Sequence, residues 1–234
     1  MEKEYDEAQK TLEKVIQNYS GMGMNAPEAR DGIARLYQVR GDWDKAEKAY
    51  WELAEYHPLS EKGLLAPIKV LVHYQGLKDA AKTQVAYEKA VDFYERTLKQ
   101  VGPIQAATGV KNGLAVTYMT FGDWKKAMET WKSIAQDFPA SPGAPIAMLA
   151  AAELAGKKQE FSTAEELYQG YLGKYKEHAL YRQTLIQVAL LCEQMKKFQE
   201  CRTYLEQLRG LQKKNSPMLP QIDLMQARTF QEEG

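Results

Sequence analysis

One pattern in this chain is written twice. GDWDKAEKAYWELAEYHP, Gly41 to Pro58, returns as GDWKKAMETWKSIAQDFP, Gly122 to Pro139. Internal repetition at a period of roughly 20–50 residues constrains a fold more than any other single feature, because each copy buries its apolar face only against its neighbours. Sliding the template along the sequence exposes three columns. An aromatic column runs Tyr5, Trp43, Tyr87, Trp124, Phe161 and Phe198; three residues on, a small column runs Ala8, Ala46, Ala90, Ala127, Ala164 and Cys201; four further, a large column runs Leu12, Tyr50, Tyr94, Trp131, Tyr168 and Leu205. The aromatic column advances by 38, 44, 37, 37 and 37 residues.

Offsets of three and seven fall on one stripe of a helix with about 3.6 residues per turn. Val15, Leu53, Ile134, Tyr171 and Leu208 extend the stripe by a turn. Upstream of it lies a second apolar stripe, carried by the trios Ile33-Ala34-Tyr37, Val70-Leu71-Tyr74, Leu114-Ala115-Tyr118, Ala151-Ala152-Ala155 and Val188-Ala189-Cys192. Each unit therefore reads as two helices. Gly41 and Gly122 sit between the stripes, where a left-handed residue closes the first helix, and Asp42 and Asp123 follow as N-caps of the second. Pro58 and Pro139 stop it. The alanine column lets two antiparallel helices approach closely while bulky residues on either side fill the grooves.

These residues resemble the tetratricopeptide repeat, a helix-turn-helix unit with small and aromatic positions at set places. Ala34, Tyr37, Gly41, Trp43, Ala46, Tyr50 and Pro58 match it in one unit, and Ala115, Tyr118, Gly122, Trp124, Ala127, Trp131 and Pro139 in another. Looser copies cover nearly the whole chain, giving approximate units 1–20 (second helix only), 27–58, 62–101, 104–139, 143–174 and 178–213, with a terminal helix over 219–232. The resemblance implies an all-α fold, a right-handed superhelical solenoid of antiparallel helix pairs spanning residues 1–234 as a single array. The family's unit is about 34 residues, and the extra residues here follow the second helix, in YHPLSEKGLLAPI and DFPASPGAPIAML. Such longer units are similar to those of bacterial cell-envelope proteins, the outer-membrane assembly lipoproteins and the periplasmic coordinator of the Tol-Pal system. That implies a periplasmic or envelope location, with the cytoplasm as the alternative.

The interval of 44 adds seven residues, close to two helical turns, so a helix lengthens without rotating its buried face. A single helix from about Asp79 to Gln100 is expected, its extra portion of roughly 10 Å jutting from one edge of the array; a longer loop at the same place is the alternative. The first stripe, Tyr5, Ala8 and Leu12, has no partner helix upstream, and PQIDLMQARTFQEE forms a lone helix at the other end. Either the two end helices cap the array, as solenoids require, or the sequence is a fragment of a longer protein with edges open to self-association. The exposed stripe favours the fragment.

Charge and motif both argue against chemistry. Lys plus Arg and Asp plus Glu each number 31, so no surplus draws the chain to nucleic acid or an anionic membrane. No apolar run approaches the roughly 18 residues of a membrane span, and no charged-then-apolar leader opens the sequence. Direct membrane insertion is not expected. Cys192 and Cys201 are too few for a disulfide framework and read as buried, unreactive thiols, a bridge between them being the alternative. His57 reads as a helix-ending residue, His73 and His178 as surface or packing residues, and no metal site or cofactor is expected. GMGMNA, Gly21 to Ala26, has the spacing of a dinucleotide fingerprint, but that motif requires a preceding strand and here a helix precedes it. The sequon-like Asn18-Tyr19-Ser20 matters only for a secreted eukaryotic protein. No convergent acid, base or nucleophile set exists, so no enzyme is expected.

In the resembled architecture the first helices line a concave groove. The side chains offset from the buried trios are Asp31, Arg35, Gln38; Leu65, Ile68, Val72; Asn112, Val116, Met119; Leu149, Glu153; and Ile186, Leu190, Glu193. Apolar in the middle with polar flanks, this surface suits a helix or an extended peptide held by a few apolar anchors. Packing of some of these residues against neighbouring helices is the alternative. The family's clamp for acidic chaperone tails would fall on Asp31, Ile68, Asn112, Leu149 and Ile186, and only Asn112 suits it. A non-enzymatic protein- or peptide-binding scaffold in a bacterial multi-protein assembly is the expected function, and an oligomerisation module the alternative.

Overall fold

The computed structural model describes residues 2–19, 26–102 and 106–233; among them are twelve α-helices and no strand. The chain divides into two compact units, Met1–Thr130 and Trp131–Gly234. The first holds α1 (Glu2–Tyr19), α2 (Ala26–Val39), α3 (Trp43–Tyr56), α4 (Glu61–Gly76), α5 (Ala80–Val101), α6 (Ala107–Phe121) and the opening turns of α7 (Trp124–Asp137). The second holds the rest of α7 with α8 (Gly143–Lys157), α9 (Phe161–Lys174), α10 (Tyr181–Gln194), α11 (Phe198–Gly210) and α12 (Leu219–Glu233). Of the GMGMNA stretch only Ala26 lies among the described residues, and Ser20 of the sequon-like triplet lies outside them. Among the described residues no helix is long and apolar enough to cross a membrane.

The small column is the seam of the hairpins. Ala46, Ala90, Ala127 and Ala164 are completely buried, and Cys201 nearly so. The large column beside it, Tyr50, Tyr94, Trp131, Tyr168 and Leu205, is buried too, as are Val70-Leu71-Tyr74 and Val188-Ala189-Cys192 of the facing stripe. Apolar area removed from water at roughly 25 cal/mol per Å² drives this seam together.

All five turns between paired helices share one geometry, which only two of them advertise. The N–H groups of Asp42, Asp79, Asp123, Glu160 and Lys197 donate to the carbonyls of Tyr37, Tyr74, Tyr118, Ala155 and Cys192 at 2.8–3.2 Å. These are the six-to-one bonds of a Schellman cap, whose penultimate residue must be left-handed. Gly41 (φ 79°) and Gly122 (φ 107°) fill that place as expected, but Lys78, Gln159 and Lys196 fill it at φ 57°, 63° and 57°. Asp42 stands at the N-cap position without capping: its carboxylate accepts from Lys45 Nζ at 2.7 Å instead of a backbone amide. Asp123 accepts from the Lys126 amide at 3.3 Å.

The seven extra residues lengthen α5. It runs for 22 residues against 14 for α3, starting directly after the Lys78 turn, and Asp79 caps it by accepting from the Lys82 amide at 3.0 Å. Ala80, Ala81, Lys82, Gln84 and Val85 leave its opening turns exposed. Further along, Tyr87 stacks on Phe121 at 3.8 Å between ring centroids.

The second helices end at Tyr56 and Asp137, two residues short of Pro58 and Pro139, because the residue before a proline is disfavoured in the helical region. At the other end of the connection Ser60 caps α4, its Oγ accepting from the Gly63 amide at 3.0 Å. Its counterpart Ser141 is buried with an unpartnered Oγ. In the first unit α1 packs on α2, so Tyr5, Ala8 and Leu12 are half-buried rather than open. Helix α12 packs on α11 through Ile222 and Thr229.

Candidate binding surface

In the first unit the residues offset from the buried trio of α4 point away from the hairpin seam. Leu65, Ile68 and Val72 recur at three and seven residues and share one helix face. With Arg35 and Gln38 of α2 they line a depression of about 380 Å³, whose remaining walls are Tyr50, Lys69 and His73. Leu65 is 38% exposed and Val72 51%, which is high for branched aliphatic side chains beside a core. From α6, Val116 is half-buried, while Asn112 and Met119 are exposed.

Asp31 departs from the expectation of an open face. It is 5% exposed and paired with Lys69, whose ammonium also lies 5.1 Å from the Tyr50 ring centroid. A carboxylate this deep requires a charged partner, because desolvation without one costs several kcal/mol. Tyr50 in turn donates its hydroxyl to Gln38 Oε1 at 2.9 Å. Burial first, and the Asp31 charge second, push the Tyr50 phenol up to about 12, so it remains a donor. The floor of the depression is thus a fixed polar network. Arg35 at its edge is exposed and has no ion pair among the described residues.

His73 is a packing residue, as expected. Its ring stacks on Trp43 at 3.3 Å and 8° between planes. Burial lowers its pKa, the Glu47 charge opposing that shift and the Lys82 charge adding to it. Trp43 Nε1 donates to the Tyr74 hydroxyl at 3.0 Å, and that hydroxyl donates to Glu47. His57 caps the C-terminus of α3.

The second unit is arranged differently. Leu149 is 6% exposed and belongs to the core, a correction to its expected place on an open face. The cause is α8 itself, GAPIAMLAAAELAGK, which is apolar nearly all round and so buries more than one stripe. Glu153 is exposed and accepts from Gln187 Nε2 at 3.1 Å, while Glu193 faces Arg228 of α12 at 3.8 Å. Leu190 is 40% exposed and Ile186 half-buried. Leu190, Glu153 and its partner Gln187 border a second depression of about 390 Å³ with Tyr168 and Lys157.

Sequence reasoning missed Tyr50, Lys69 and His73 as wall residues. Lys69 stands beside Ile68, but its partner Asp31 is 38 residues away, and no local pattern signals that pairing. Cys192 and Cys201 are free and buried, and burial pushes their thiols up to about 12 and about 11. They are inert at neutral pH, because the thiolate is the nucleophile. His178 Nδ1 accepts from the Leu180 amide at 3.3 Å and from the Tyr171 hydroxyl at 2.7 Å. Among the described residues no group of three or more His, Cys, Asp or Glu side chains could hold a metal ion.

Solved structures define the fold class. The chain is similar to BtubC (BKLC) from P. vanneervenii, with a TM-score of 0.52 at 17% identity over 89% of each chain. It is also similar to a Podosopora anserina chain described as a kinesin light chain with nearly identical TPR-like repeats, with a TM-score of 0.55 at 17% identity, covering 83% of this chain and 100% of that one. The fold is therefore all-α, of the tetratricopeptide-like kind built from helix pairs. Within it, residues 113–141 match the family model of the tetratricopeptide repeat. This segment contains the Leu114-Ala115-Tyr118 trio, Gly122, Trp124, Ala127, Trp131 and Pro139. No curated protein matches the sequence.

Proposed function

We propose that this protein is a non-enzymatic scaffold that holds a protein or peptide segment on the faces of its first helices. The observation that carries this reading is the depression between α2 and α4, where exposed Leu65 and Val72 lie beside exposed Arg35 and Gln38 over a hydrogen-bonded polar floor. Apolar anchors flanked by polar groups are what an amphipathic helix or extended peptide needs. The surrounding tetratricopeptide-like fold supports the reading, since such repeats present surfaces rather than enclose catalytic cavities. In this proposal the setting is a bacterial multi-protein assembly of the cell envelope, supported by the repeat period of 37 and the proline- and serine-containing connections.

The test is capture. Ile68→Ser combined with Met119→Ser weakens binding of the captured partner by about tenfold or more, as loss of interface anchors does, while far-ultraviolet circular dichroism stays unchanged. Undiminished capture by the double variant moves the site off this face. A second reading, an oligomerisation module, is favoured by α12, where Leu224 and Phe230 are 66% and 62% exposed. Light scattering across a dilution series decides it, and a strictly monomeric chain at high concentration removes it.

A further inference from the structure

An acidic hollow of the first unit lies between its second helices, α3 and α5. It measures about 580 Å³, and Glu47, Trp51, Glu52, Glu55, Tyr56 and Lys89 are among its walls. Trp51 lies outside the repeat columns. Its neighbour Tyr50 fills the buried large position, so the indole lies about 100° further round α3, 7% exposed at the base of the hollow. Its Nε1 donates to Glu47 Oε1 at 3.4 Å, and the Lys89 ammonium lies 4.1 Å from its ring centroid. Tyr56, 65% exposed, carries the Arg30 guanidinium at 4.5 Å in the same way.

The charge around this floor is unbalanced. Asp44, Glu47, Glu52 and Glu55 line it against Lys48, Lys89 and the Arg30 guanidinium held on Tyr56, leaving one negative charge in surplus in a chain whose total is zero. Arg96 reaches Glu55 at 3.0 Å but also holds Asp92 at 2.8 Å, so including both leaves the surplus unchanged. Lys48 reaches Glu52 only at 3.9 Å, with the two side chains 78% and 48% exposed. An aromatic floor under acidic walls is the arrangement that attracts an ammonium or guanidinium group. Lys89 already occupies that place from within the chain.

We propose that this hollow docks a basic segment of a protein partner, one of whose Lys or Arg side chains replaces Lys89 over Trp51. The partner is positively charged because the walls are negative. The contact is a surface one, because Glu52 and Glu55 remain about half exposed. It is independent of the peptide-binding face: the residues belong to second helices, and the first-helix depression shares none of them.

The probe is a hexalysine peptide, titrated into the full chain at low salt while the indole N–H resonance of Trp51 is followed by NMR. A saturable shift at Trp51 is expected, with none from hexaglutamate. Lys89→Ala uncovers the ring and tightens hexalysine binding about threefold or more. Lys48→Ala removes the same charge without uncovering the ring and has a smaller effect. Glu52→Gln with Glu55→Gln weakens binding at least about fivefold, screened further by salt, at unchanged helicity. Equal effects of the two lysine variants would reduce the site to general charge attraction and overturn the proposal. So would the absence of a Trp51 shift, or a shift that follows protein concentration without peptide, which would assign the hollow to a second copy of the chain.

Discussion

The two units solve the same packing problem with different materials. In the first, Gly113 of α6 meets the ring of Tyr94, and a Cβ there would lie 2.4 Å from Tyr94 Cε1. That ring is fully buried, with its hydroxyl donated to the Leu64 carbonyl, so it has nowhere to go. In the second, Gly170 of α9 meets the tip of Met148, and a Cβ would lie 2.9 Å from its Cε. Methionine has three rotatable bonds and yields. The same small residue at a helix contact is therefore a strict requirement in one unit and a convenience in the other. The surfaces differ as well: the first unit builds a depression over the Tyr50–Gln38 and Asp31–Lys69 contacts, whereas the second draws Leu149 into its core.

The largest expected effect tests this contrast directly. Gly113→Ala costs about 2 kcal/mol, overpacking outweighing the helix-propensity gain of about 1 kcal/mol. Gly170→Ala leaves the denaturation midpoint unchanged or raises it, and equal losses in the two variants would break the distinction. Next come the paired serines. Ser60→Ala loses a working cap and about 1 kcal/mol, while Ser141→Ala removes a buried, unpartnered hydroxyl and is neutral or stabilising. Thermal melts of the two variants moving in the same direction would refute this asymmetry. Last come the turns, where one change equals the lost cap in size and the other is the smallest of all. Gly122→Ala destabilises by about 1 kcal/mol because its φ is left-handed. Gln159→Gly, at the equivalent place, stabilises by a few tenths of a kcal/mol, the relieved strain exceeding the added chain entropy. A loss of stability in Gln159→Gly would show that strain at this turn is offset locally.

Much of the fold was legible because it is local. The alanine, aromatic and trio columns identified every hairpin helix, and the extra seven residues placed the long α5 to within a residue at each end. The turns were half legible. Gly41 and Gly122 declare a left-handed residue, but Lys78, Gln159 and Lys196 adopt it under tertiary constraint that composition does not record. Of the surface, Arg35, Gln38, Leu65, Ile68 and Val72 follow from helical offsets, and the structure brings them around one depression. Asp31 and Leu149 do not, because whether an offset residue meets solvent depends on what packs over it.

By itself the sequence determined the helix pairs, their period and the buried stripe of each, because side-chain spacing along a helix fixes which residues share a face. Only the tertiary structure decided that Asp31 pairs with Lys69, that Lys89 covers Trp51, and that Tyr94 closes on Gly113. Those contacts join residues between 19 and 38 positions apart, or set the depth of one helix against another, and no periodicity within a single helix encodes them.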